Sequence, residues 1–136
     1  MQFRPEEIDM ARQLRRLGLP WEPKAGHYVY DETGICRKTS LFQDGVYFVL
    51  NYEYFMRQAG GVERFKSIML WLPTWHDVRE ILDALGVSSE EVAASLRDRG
   101  AIENHHELLV LYEMIAERLR RGVAVANSVS QGSKHL

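Results

Sequence analysis

Between Phe65 and Leu85 the chain reads FKSIMLWLPTWHDVREILDAL, and no other stretch limits the available folds as tightly. Ile68 to Leu72 are all apolar, so Ile68, Leu70 and Leu72 on one face and Met69 and Trp71 on the other both need cover, as in a central strand. Pro73 ends the run. Thr74 stands at an N-cap position with Asp77 three residues on, and Trp75, Val78, Ile81, Leu82 and Leu85 recur at helical spacing up to Gly86. The segment therefore predicts a buried strand passing through a proline turn into a helix. Free amides and the positive end of the helix dipole gather at such a turn, which makes His76 and Asp77 candidate ligand-binding residues. No glycine-rich loop precedes the helix to bring a phosphate close, so ordinary core packing is the simpler reading.

Upstream, Pro5 followed by Glu6 and Glu7 opens a helix whose stripe is Ile8, Ala11, Leu14 and Leu17, with Gly18 as its stop. Arg12, Arg15 and Arg16 lie off that stripe and are candidates for contact with an acidic partner or phosphates, although arginines on an outer helix face are ordinarily just solvated. Leu19 to Gly26 reads as a loop that returns Trp21 to the core. His27–Asp31, Ile35–Thr39 and Val46–Leu50 follow as strands, joined by turns at Asp31–Gly34 and Asp44–Gly45 into an antiparallel meander. Asn51 caps a short helix over residues 52–58 that Gly60 and Gly61 end, and the chain re-enters the strand near Phe65. That connection is long enough for parallel as well as antiparallel pairing.

Downstream, Ser88 and Glu91 form a capping box for a helix reaching Arg99, with Gly100 as its stop. Asn104 with Glu107 is the expected cap of the last helix, over 105–121, whose residues from Leu108 to Leu119 leave little polar face. Such a helix is covered on all sides, by its own fold or by a second subunit. If Leu111 or Ile115 lies in a homodimer interface, changing either to Glu leaves a folded monomer; if either lies in the core, the protein unfolds. From Val123 to Leu136 the periodicity is lost, and a mobile tail is expected. The fold class that follows is α+β: a single domain over 1–122, with an antiparallel or mixed sheet of about four strands packed against about four helices.

Composition narrows function mainly by exclusion. With 136 residues, 46% of them hydrophobic, the chain is long enough to bury a core without disulfides. Its net charge of -2 offers no general field for nucleic acid or an anionic membrane. The single cysteine, Cys36, sits in no motif that lowers a thiol pKa and fits a reducing compartment. The N-terminal residues lack an apolar signal core, and no apolar run reaches about eighteen residues, so a cytoplasmic protein is expected. Phosphate-binding glycine loops, a GxSxG elbow, HExxH and paired CxxC units are missing, and no cofactor is expected.

Two leads remain. His76, His105 and His106 stand in what read as first turns of two helices, where Asp77, Glu80 or Glu107 could complete a zinc-type site. Adjacent histidines diverge around a helix, which weakens that geometry. Tyr28, Tyr30 and Tyr47 head an aromatic-rich region over residues 28–55 that offers a stacking surface, but the basic residues there are sparse and the RRM and OB signatures are missing. Tyrosine-rich faces also suit protein interfaces. The preferred expectation is a small interaction or regulatory module acting through a protein partner or self-association. The alternative is a small-molecule or metal-dependent hydrolase sited around His76, Asp77, His105 and His106.

Overall fold

The computed structural model describes residues 2–34, 36, 40 and 43–125. Its contacts divide into two compact units, Met1–Arg12 with Trp21–Thr74 and Gln13–Pro20 with Trp75–Leu136. The boundary falls within the first helix, α1 (Pro5–Arg16), which has acidic residues in its first turn and Arg15 and Arg16 in its last. Ile8, Ala11 and Leu14 are buried along the expected stripe. Gly18, at φ 87°, closes the helix as its N–H turns back to the Arg15 carbonyl.

The first unit holds a three-stranded antiparallel sheet formed by β1 (Tyr28–Asp31), β2 (Val46–Phe48) and β3 (Met69–Leu72), in the order β2-β1-β3. Tyr28 pairs with Phe48 and Leu72, Val29 with Tyr47 and Trp71, and Tyr30 with Val46 and Leu70. Side chains alternate between faces along a strand. Val29, Tyr47, Trp71 and Met69 therefore share one face, and Tyr28, Tyr30, Phe48, Leu70 and Leu72 the other. The first face meets α2 (Tyr52–Ala59) and α3 (Val62–Ile68) in a core of Val29, Val49, Met56, Phe65 and Met69, with Trp21 packed against it. On the second face Phe3 stands edge-on to Tyr28, with ring centres 5.7 Å apart.

The expected central strand is corrected here. Centrality belongs to β1, and Phe65 to Ile68 form the end of α3. The Met69 N–H donates to the Phe65 carbonyl, so the helix passes into the strand without a turn, and an apolar run this short does not reveal which period it follows. The parallel option also falls, because β3 runs antiparallel to β1. Third, β2 stops at Phe48: the Val49 N–H donates to the His27 carbonyl at 2.8 Å, and Leu50 is 78% exposed. The strand expected over 35–39 lies outside the described residues apart from Cys36. The cap on α2 is as expected: Asn51 Oδ1 accepts from the Tyr54 N–H at 3.0 Å, and Gly60 takes a left-handed φ of 89°.

The second unit holds α4 (Trp75–Ala84), α5 (Ser89–Asp98) and α6 (Glu107–Arg120). Ser88 and Glu91 form the full capping box. Packed against both α4 and α5, α6 buries Val110, Leu111, Tyr112, Ile115 and Ala116. Leu111 and Ile115 are both 0% exposed, which places them in the core of this unit. The start of α6 differs from expectation, since Asn104 does not cap it. Asn104 Nδ2 donates to the Gly100 carbonyl at 2.9 Å and the His106 N–H to the Ala101 carbonyl at 2.8 Å, so residues 100–106 form a tight turn before the helix.

Among the described residues there are six helices and three strands, a mixed α and β fold, against the four and four expected. No helix among them is long and apolar enough to cross a membrane. Of the expected tail, residues 126–136 lie outside the described residues.

Candidate functional site

In the first turn of α4 two large side chains face solvent. Trp75 is 42% exposed, and the His76 side chain is 82% exposed with Nε2 3.4 Å from Glu80 Oε1. The sequence places Trp75 on the buried stripe with Val78, Ile81 and Leu82, which are indeed buried. A helical side chain leans toward the helix N-terminus, so at the first position it points past the end of the helix rather than onto the core. The spacing is right, but the end of the helix removes the cover.

The histidines expected in the first turn of the last helix precede it. His106 occupies the N-cap position without a side-chain cap bond, and His105 sits in the preceding turn at φ 58°, the single non-glycine positive φ among the described residues. Both are exposed, as is Ile102 at 58% in the same turn. Asp77 is half-buried and makes an interaction of its own. Among the described residues no three His, Cys, Asp or Glu side chains gather closely enough to hold a metal ion. The proposed zinc-type ligand set is therefore not assembled there.

The three tyrosines are each half-buried, with Tyr47 packed against the first unit's core and Tyr28 and Tyr30 on the other face of the sheet. Tyr28 packs between Phe3 and Phe48, with ring centres 5.7 and 4.9 Å away. Tyr30 lies beneath the Arg12 guanidinium, 5.6 Å from its ring centre. Burial pushes the Tyr47 hydroxyl up to about 12, helped by a hydrogen bond to the Cys36 side chain and by the nearby Cys36, Asp31 and Asp44 charges. That phenol stays protonated at neutral pH.

Arg12 is half-buried and engaged by two carboxylates. Its Nε donates to Glu32 Oε1 at 3.1 Å and its Nη1 to Asp9 at 2.5 Å, so it joins α1 to the end of β1. Arg15 and Arg16 are exposed.

Sequence reasoning missed an aromatic cluster at the edge of the first core. Trp21 Nε1 donates to Nδ1 of the buried His27 at 3.0 Å, and Trp71 stacks with both rings, at 6.0 Å from Trp21 and 5.0 Å from His27. The Nε1 of Trp71 is buried and has no hydrogen-bond partner among the described residues. Trp21 was readable as a residue returned to the core, but the sequence holds no signal for its partner, which is set by how the loop closes on β3. At the far end of β1, buried Asp31 holds the turn after the strand: Oδ1 accepts from the Thr33 N–H, the Thr33 hydroxyl and the Gly34 N–H, and Oδ2 from the Cys36 N–H at 2.7 Å.

Comparison with protein-family models, curated proteins and solved structures returned no match for this chain.

Proposed function

We propose that this chain is a small interaction or regulatory module that holds a protein partner or a second copy of itself, with Trp75 as its anchor. One observation supports the reading: a tryptophan at the start of α4 is 42% exposed, beside the solvent-facing pair His76 and Glu80. Exposed tryptophan is an expensive surface residue, and tryptophan is enriched among the few side chains that carry most of an interface's binding energy. The polar pair next to it matches the wet rim that surrounds such anchors. The metal-dependent alternative around His76, Asp77, His105 and His106 lacks a gathered ligand set among the described residues and is set aside.

The test compares the wild-type protein with Trp75→Ala, by light scattering across a concentration series and by cross-linked capture from cell extract. The expected result is an assembly, homodimeric or with a partner, that the variant forms roughly tenfold or more weakly while its circular dichroism is unchanged. A wild-type monomer at every concentration, with the same captured proteins in both forms, overturns the reading.

A further inference from the structure

In the cluster of Trp21, His27 and Trp71, two indole N–H donors meet one ring acceptor. Trp21 takes that acceptor, its Nε1 donating to His27 Nδ1 at 3.0 Å. The Nε1 of Trp71 is left without a partner among the described residues. His27 is 5% exposed and lies against the Trp71 ring, with centres 5.0 Å apart and planes at 26°. An indole N–H can only donate, so the arrangement holds only while Nδ1 carries a lone pair. A proton on Nδ1 sets two donors face to face, and Trp71 offers no acceptor in exchange.

The segment around Trp21 depends on this bond. Residues 20–23 make no main-chain hydrogen bond among the described residues, and Pro20 and Pro23 have no N–H to offer. The next fixed point is Gly26, whose N–H donates to the Val49 carbonyl at 2.7 Å. Trp21 is therefore held inward by its bond to His27 and by ring packing against Phe65 and Trp71.

We propose that Trp21 and His27 form a proton-operated latch: uptake of a proton at Nδ1 of His27 breaks the bond, releases Trp21 and opens the loop over residues 19–26. Histidine, with an ordinary pKa near 6.5, is the side chain that mild acid reaches. The sign follows from the form that the bond favours. A hydrogen bond to the neutral ring lowers the folded-state pKa, so its contribution is complete above the unfolded value and is lost as the pH falls through the folded one. The Trp71 ring attracts an imidazolium, which offsets part of the cost of burying the charge but gives Trp21 no acceptor. β3 has no titratable side chain. Glu22 and Lys24 of the loop, Glu53 and Arg57 of α2, and Glu63 and Arg64 of α3 are exposed, Lys66 is half-buried, and Tyr47 stays protonated. Exposed charges act on His27 through solvent, so they shift its midpoint but leave the clash between the two donors in place.

The experiment follows the full-length protein by NMR from about pH 8 to about pH 5, reading the His27 ring protons and the Trp21 indole proton, with circular dichroism as the check on the global fold. Trp21→Phe identifies the indole resonance by its loss. His27→Asn places an oxygen where Nδ1 stands, so it accepts from Trp21 and takes up no proton. In the wild type the indole resonance is expected to move upfield with the midpoint of His27, at constant circular dichroism. It stays in place in His27→Asn, and in Trp21→Phe the His27 midpoint rises by about half a unit or more. Titration of His27 with the indole resonance unmoved, a His27 that stays neutral throughout, or an unchanged midpoint in Trp21→Phe overturns the proposal. So does the same acid shift in His27→Asn, or a loss of circular dichroism in step with the indole shift. If His27→Asn does not fold, the midpoint in Trp21→Phe decides.

Discussion

The indole N–H of Trp21 donates to Nδ1 of His27 at 3.0 Å, tying the loop after α1 to the start of β1. The bond fixes the His27 tautomer: with Nδ1 accepting, a neutral ring carries its proton on Nε2. Trp21→Phe keeps an aromatic ring and removes the donor, leaving the buried Nδ1 without this partner. The expected cost is about 1–3 kcal/mol. Urea unfolding of the two proteins, followed by circular dichroism, measures it; an unchanged midpoint contradicts the role given to the bond.

Asp31 supplies the pH dependence. Burial pushes its carboxyl up, but the Cys36, Thr33 and Gly34 amides and the Thr33 hydroxyl favour the ionised form more strongly, so the folded-state pKa lies below the ordinary value. A group depressed in this way stabilises the fold above its unfolded pKa, near 4, and loses that contribution as the pH falls through the lower folded value. Asp31→Asn, which cannot titrate, should flatten stability against pH below about pH 4 relative to wild type. Parallel curves for the two proteins in acid contradict the assignment.

Gly45 and Gly34 give a matched pair of substitutions. Both have positive φ, 80° and 70°. A Cβ on Gly45 falls 2.8 Å from Tyr30 Cε1, whereas one on Gly34 meets nothing within 4 Å among the described residues. Each alanine pays backbone strain of about 1–2 kcal/mol, and Gly45→Ala adds the displacement of a ring held under Arg12. Thermal unfolding should rank Gly45→Ala below Gly34→Ala, and the reverse order counts against this packing.

Leu111→Glu and Ile115→Glu should each unfold the second unit rather than release a monomer. Both side chains are 0% exposed within a single chain, and an unpaired carboxylate there costs several kcal/mol. A folded, soluble Leu111→Glu protein with native circular dichroism contradicts this placement.

What the sequence made legible is what short-range chemistry decides. The Ser88–Glu91 box, the Asn51 cap and the glycine stops at Gly18 and Gly60 each depend on residues within a few positions, and each stands as expected. What it concealed depends on distant neighbours. The short helix α3 hides behind the apolar run that begins at Ile68, because four or five apolar residues fit either period. Trp75 fits the stripe of α4 by spacing, yet at the first position of the helix it stands exposed. Asn104 has the right spacing to cap α6 but spends its amide on Gly100.

The order β2-β1-β3 bears on how the sheet assembles. One partner of β1 follows it across a single connection, and the other arrives only after α2 and α3 have been laid down. Closing the longer loop costs little extra stability, since each doubling of length adds only about 0.6 kcal/mol. Its weight falls on kinetics, because contacts distant in sequence slow the search for the native state. Substitutions in the β1–β3 ladder are therefore expected to slow refolding, followed by stopped-flow fluorescence, more than equally destabilising ones in α2.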